Sequence, residues 1–143
     1  DSCLVGSEMC IRDRNKYLSF LDDNLKPFFR AAIGNYRTTL KAKNEFYKNK
    51  LDIKKIADLI NIHHSFLKND LKITTPVIDD MIDIAMENGS IGCKIVGSGG
   101  GGSIVCLSED KSFSLKIVNE LKKYGVKDAF IAKIGKGPTI SYE

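Results

Sequence analysis

The sequence predicts an α+β domain in which a mainly antiparallel sheet carries helices packed on one face. Amphipathic helical stretches come first, and two short apolar runs joined by a glycine-rich loop then form a hairpin. A further helix and two more strand candidates follow the hairpin. The chain has 143 residues, of which 43% are hydrophobic and 28% charged, as expected for one compact domain.

The first 14 residues lack the periodicity of the rest of the chain. The stretch from Leu4 to Asp13 matches one reading frame of a transposon adapter that is used to prepare sequencing libraries. We therefore interpret residues 1–14 as a non-native, adapter-derived segment and residues 15–143 as the domain. The natural protein is then expected to begin far upstream.

Removing residues 1–14 should not change the free energy of unfolding by more than about 1 kcal/mol, because a segment without periodicity cannot bury an apolar face. A chain that begins at Asn15 should unfold at the same denaturant midpoint as the full chain. A larger loss would show that the segment packs on the domain, contrary to the adapter interpretation.

The first helical region covers residues 18–40, where apolar residues recur at helical spacing. The predicted stripe comprises Leu18, Leu21, Leu25, Phe28, Phe29, Ala32, Ile33, Tyr36 and Leu40. Pro27 should break or kink this region. Residues 41–50 are polar and rich in lysine, with Phe46 and Tyr47 as expected anchors. The pattern predicts two helices or one bent helix.

Asp52 is the expected N-cap of the next helix. The two histidines, His63 and His64, are neighbours on this helix and point about 100° apart, so they cannot easily share one metal ion. We expect His64 to be structural and His63 to lie on the surface, with a catalytic role as the alternative. The predicted apolar stripe comprises Ile53, Ile56, Ala57, Ile60, His64, Leu67 and Leu71.

Thr75 and Pro76 predict the start of a third helix, and Gly89 predicts its end. Asp79 and Asp80 fall in the first turn, where the helix dipole favours negative charge. With Asp83 they could form a metal site, but the helix start already explains two of the three acids, so no metal ligand is assigned. The predicted buried face comprises Ile78, Met81, Ile82 and Ala85.

After the hairpin, residues 108–124 predict a fourth helix that Gly125 ends. Residues 129–134 and residues 139–142 read as strands. The residues expected to point inward from the helix are Phe113, Ile117, Leu121 and Tyr124.

The loop between the two apolar runs is almost pure glycine, and each run should form a strand of about four residues. Each ordered glycine costs roughly 0.5–1 kcal/mol more backbone entropy than alanine, so a contact from outside the loop must hold it. Either the loop is a flexible linker, or its amide groups form a cradle for phosphate oxygens. It lacks the Lys-Ser/Thr ending of a Walker motif, and its glycines do not have the spacing of a dinucleotide-binding fingerprint. The candidate binding residues are Gly97, Ser98, Gly99, Gly100, Gly101 and Gly102.

Other features restrict the class of protein. The net charge of +4 is scattered among acids, which argues against nucleic-acid binding. No apolar run is long enough to span a membrane and no leader peptide is recognisable, so we expect a cytoplasmic protein without a membrane partner.

Cys93 and Cys106 flank the loop and are expected to be small buried residues, and their spacing is not that of metal ligands. Cys3 and Cys10 fall in the adapter segment.

Residues 92–102 resemble the third, glycine-rich motif of the GHMP kinase superfamily. Residues 63–79 are most similar to the corresponding block of the galactokinase family within it. The uninterrupted run from Gly99 to Gly102 is instead nearer the mevalonate kinase form. The resemblance covers the chain from about Asp52 onwards.

The resemblance implies a ferredoxin-like C-terminal lobe of a kinase that transfers a phosphoryl group from ATP, with Mg²⁺, to a sugar hydroxyl. Residues 97–102 would lie near the nucleotide phosphates. The main phosphate loop, the sugar-binding residues and the catalytic groups would belong to an N-terminal lobe that this chain lacks, so no catalytic residue is assigned. The alternatives are a mevalonate kinase, a heptose-phosphate kinase, or a ferredoxin-like regulatory domain without enzymatic activity.

Overall fold

A computed structural model describes residues 17–133 and residue 135. These residues form four α-helices and a two-stranded antiparallel sheet, which confirms the α+β class. A short 3₁₀ turn precedes the first helix, and a π-helical turn, Phe66–Asp70, extends the second. In chain order the elements are α1 (Lys26–Phe46), α2 (Ile53–Ser65), α3 (Pro76–Glu87), β1 (Ser90–Val96), β2 (Ser103–Ser108) and α4 (Lys111–Tyr124).

Helix α1 begins at Lys26, one residue before the proline that was expected to interrupt it. Pro27 lies in the first turn, where the missing N–H is not needed, and the helix then continues without a break to Phe46. Its buried face contains Ala31 and Ile33, whereas Ala32 of the predicted stripe is exposed. Each residue turns the helix by about 100°, so this stripe was placed partly on the wrong face.

The end of α1 is anchored by an acid and not by aromatic residues. Phe46 and Tyr47 are 62% and 78% exposed, so the prediction that they anchor this region is wrong. Glu45 is only 1% exposed and pairs with Lys48 at 2.8 Å and with Lys55 of α2 at 3.2 Å. The hydrogen bond from Lys48 holds the pKa of Glu45 below its usual value. This ion cluster joins the end of α1 to the start of α2.

Helix α2 begins as predicted, because Asp52 Oδ1 accepts a hydrogen bond from the Lys55 amide at 3.1 Å. Part of the predicted stripe is wrong, since Ile53 is exposed and Leu59 is buried. The helix lies so close to β1 that a Cβ atom on Gly92 would lie 2.8 Å from Ala57 Cα. The buried residues of the stripe are Ile56, Ala57, His64 and Leu67.

An asparagine of α2 covers the outer edge of β1. The Asn61 side-chain amide donates to the Ile91 carbonyl oxygen and accepts from the Cys93 amide, both at 3.0 Å. These are the bonds that a neighbouring strand would otherwise supply. One side chain therefore satisfies two backbone groups at this edge.

Helix α3 matches its prediction closely, except that only Asp79 and not Asp80 falls in its first turn. Thr75 caps it by accepting from the Ile78 amide at 3.4 Å, and Pro76 is its first residue. Gly89 has a φ of 104°, the left-handed conformation expected after the helix end. The predicted buried face is confirmed at all four positions, Ile78, Met81, Ile82 and Ala85.

Helix α4 is capped by Asp110 and ends at Gly125, whose φ is 100°. Ile117 and Leu121 point inward as predicted. Phe113 and Tyr124 were also expected to point inward but are 39% and 41% exposed. They lie near the two ends of the helix.

The main core lies between the sheet, α3 and α4. Cys93 and Ile95 of β1 are 1% and 0% exposed within it. Residues 129–133, which were predicted as part of a strand, have no strand structure, and no backbone among the described residues pairs with them. Ile134 and the predicted strand 139–142 lie outside the described residues.

Within residues 17–133 and 135, none of the helices is both long and apolar enough to cross a bilayer.

Candidate functional site

The glycine loop joins two strands that are longer than predicted. β1 has seven residues and β2 has six, and they pair from Ser90 opposite Ser108 to Val96 opposite Ser103. The pairing shifts register between Ser90 and Gly92 and is regular from Gly92 to Val96, so the strand ends that flank the loop are fixed.

The backbone of the loop explains its composition. Gly97, Gly99 and Gly100 have φ values of 84°, 79° and 75°, and Gly101 and Gly102 have values of 110° and 145°. Side chains disfavour these left-handed angles, and bulky or β-branched ones do so strongly. Five of the six candidate residues thus adopt conformations that favour glycine.

One side of the loop is held by the segment that precedes α3. The Gly100 amide donates to the Ile73 carbonyl oxygen at 3.0 Å, and a Cβ atom on Gly99 would overlap that same oxygen. The Ile73 amide in turn donates to the Leu67 carbonyl oxygen at 3.2 Å, and Lys72 has an unusual φ of 52°. The glycine content indicated that a contact from outside the loop must hold it, and this contact is made by backbone atoms.

The other side of the loop is open. A Cβ atom on Gly97, Gly100, Gly101 or Gly102 would meet nothing within 4 Å. In the part of the chain that the structure describes, the amides of Ser98, Gly99 and Gly101 donate to no protein acceptor. Free amides in such a turn attract anionic oxygens. These three amides are therefore available to an acceptor while the Gly100–Ile73 hydrogen bond stays in place.

The two histidines lie on α2 beside β1 and not in the loop. Burial lowers the pKa of both His63 and His64, which favours the uncharged imidazole in each. His64 is buried, as expected of a structural residue, whereas His63 is half-buried and not on the surface. The nearby Lys94 also has a pKa lowered by burial, and its Nζ donates to the Ile95 carbonyl oxygen at 2.7 Å.

The acids at the start of α3 have partners of their own. Asp79 pairs with Lys68 at 3.2 Å, and Asp80 accepts from the Tyr124 hydroxyl at 2.8 Å. In the described part of the chain, no three His, Cys, Asp or Glu side chains are grouped so that they could hold a metal ion.

Sequence reasoning missed the residues that support the loop. Lys72 and Ile73 act through a left-handed backbone angle and a carbonyl oxygen, and neither feature depends on a recognisable side chain. The only signal was the glycine run itself, which indicated that some contact had to hold it.

The profile of a family described as "GHMP kinases C terminal" matches residues 45–127. The chain is 30% identical over 138 residues to a galactokinase of Fusobacterium nucleatum, with 91% of this chain and 35% of that protein covered. A galactokinase of Actinobacillus succinogenes is 34% identical over 123 residues, with 82% and 31% covered. A mevalonate kinase of Thermococcus sibiricus is 34% identical over 65 residues, with 46% and 19% covered. The chain thus spans about a third of the length of these galactokinases.

Proposed function

This chain belongs to the GHMP kinases as a form of their C-terminal domain, and from this premise we propose that residues 97–102 bind the phosphates of MgATP in a galactokinase-like sugar kinase. The observation that carries the proposal is the asymmetry of the loop. Ile73 holds one side, the amides of Ser98, Gly99 and Gly101 have no acceptor among the described residues, and Gly97, Gly100, Gly101 and Gly102 face open space. A flexible linker would not need the contact with Ile73.

The proposed role of the loop is electrostatic. Phosphoryl transfer depends mainly on positioning and on stabilising negative charge. The amides of Ser98, Gly99 and Gly101 would donate to phosphate oxygens, and the absence of Cβ atoms would let those oxygens approach the backbone. The transfer itself would use residues of an N-terminal lobe, because the chain corresponds to only a third of its galactokinase relatives.

A sugar substrate is proposed from the extent of the similarity. The two galactokinases align with 91% and 82% of this chain, whereas two mevalonate kinases align with 46% and 63% of it. The uninterrupted glycines from Gly99 to Gly102 resemble mevalonate kinases more closely, so mevalonate is the second candidate substrate.

Joining the chain to the upstream lobe encoded in its native genome should produce galactose-dependent consumption of ATP. The chain alone should bind MgATP weakly and phosphorylate no sugar, because the proposed catalytic groups lie in the other lobe. A coupled assay of ADP release, with galactose or mevalonate as substrate, measures the turnover of the joined protein and of the chain alone. Turnover of mevalonate would change the substrate assignment from a sugar to mevalonate. Rapid turnover by the chain alone would contradict the proposal that the catalytic groups lie in another lobe. A joined protein that binds no ATP would favour a non-enzymatic domain.

In that joined enzyme, Gly100→Val should lower kcat/KM for ATP at least about tenfold. The β-branched side chain opposes the φ of 75° and projects into the open space where we place the phosphates. Ser98→Val is the matched control, and its effect should be smaller because Ser98 does not have a positive φ. Unchanged ATP kinetics in a folded Gly100→Val enzyme would leave the glycine run as a connector only.

A further inference from the structure

Two cysteines lie directly opposite each other at the base of the glycine hairpin. Cys93 of β1 pairs with Cys106 of β2 in the antiparallel register. Both side chains lie on the sheet face that packs into the core, where Cys93 is buried and Cys106 is half-buried. Their Cβ atoms therefore point to the same side of the sheet.

The backbone pattern brings the two residues close together. The Cys93 amide points away from β2 and donates to Asn61, so Cys93 and Cys106 form a non-hydrogen-bonded pair. The Cα atoms in such pairs are about 4.5 Å apart, within the range of about 4.4–6.8 Å that disulfides span. A disulfide can therefore form here without a change of register.

The neighbours of Cys93 favour its thiolate. The Ser90 hydroxyl lies 3.1 Å from Cys93 Sγ. A hydrogen bond from the Cys106 thiol, assisted by one from Ser90, lowers the pKa of Cys93 against the effect of burial, while the pKa of Cys106 is raised. Of the two thiols, Cys93 therefore loses its proton more readily.

We propose that Cys93 and Cys106 form a reversible dithiol–disulfide site that small peroxides oxidise. The Cys93 thiol gives up its proton and its sulfur attacks hydrogen peroxide, so that a sulfur–oxygen bond forms, the oxygen–oxygen bond breaks, and the leaving hydroxide takes up that proton to become water. The Cys106 sulfur then attacks Cys93, the disulfide forms, and the Cys93 oxygen leaves as a second water. The two thiols lose two electrons, and the peroxide gains them. This site does not depend on nucleotide binding.

The test uses the full chain with Cys3 and Cys10 replaced by serine, so that only two thiols remain. After treatment with hydrogen peroxide and alkylation, we expect no free thiol, a mass about 2 Da lower, and one peptide that links Cys93 to Cys106. Dithiothreitol should restore both thiols. The oxidised chain should melt at least about 5 °C higher than the reduced chain, because the link closes the hairpin loop.

An offset variant is the matched control. Cys106→Ser combined with Val105→Cys moves the thiol to a position opposite Lys94, on the other face of the sheet. This variant should give sulfenic and sulfinic acids or intermolecular dimers, without an internal link. Two thiols that survive a peroxide dose which oxidises the offset variant would overturn the proposal. Sulfinic acid or dimers as the main product of the parent pair would also overturn it.

Discussion

Gly99→Ala should lower the free energy of unfolding by about 2–3 kcal/mol, more than the same change at any other position in the glycine loop. The new methyl group would overlap the Ile73 carbonyl oxygen, which belongs to the backbone and cannot rotate away. Relief of the overlap requires the loop to leave Ile73, and the hydrogen bond from Gly100 is then lost. The φ of 79° adds strain of its own.

Gly101→Ala is the matched control for this prediction. Gly101 also has a positive φ, but its added Cβ atom would meet nothing within 4 Å. Its cost should therefore be the backbone strain alone, about 1 kcal/mol. Urea unfolding of the two variants measures the difference. Equal losses would show that the loop is not docked on Ile73.

Asn61→Leu should cost about 2–4 kcal/mol, because it leaves both the Ile91 carbonyl group and the Cys93 amide without partners beside a packed helix. Leucine has nearly the same shape and a higher helix propensity, so a loss cannot come from the helix itself. Urea unfolding gives the total loss. Hydrogen exchange gives its location, since protection of the Cys93 amide should fall first.

Asn44→Leu on the exposed side of α1 is the control for this substitution. It makes the same chemical change without touching the sheet, so its effect should stay within about 0.5 kcal/mol. An Asn61→Leu protein as stable as this control, with the Cys93 amide still protected, would contradict the role of Asn61 at the strand edge.

The features that could be predicted from the sequence are mostly local. Asp52, Thr75 and Gly125 act on helix ends within a few residues of themselves, so short stretches of sequence are enough to identify them. The buried face of α3 was also predictable, because its apolar residues recur at one regular spacing.

The errors have tertiary causes. Glu45 replaces the aromatic anchors because Lys55, ten residues further along the chain, returns to pair with it. Residues 129–133 have the composition of a strand, but a strand forms only where a partner backbone is available. For the candidate site, the sequence was enough to predict that the glycine loop needs a contact from outside. The contact with Ile73 itself was not predictable, since it joins two backbone segments.

The contact between Asn61 and β1 also determines at which edge of the sheet a further strand can be added. An unprotected edge strand offers its backbone to any extended segment, including one from another copy of the protein, and this is a common route to aggregation. At Ile91 and Cys93 the backbone groups are already occupied by a side chain of a packed helix. A strand added on this side would first have to displace α2. A longer form of this protein is therefore expected to extend the sheet beyond β2.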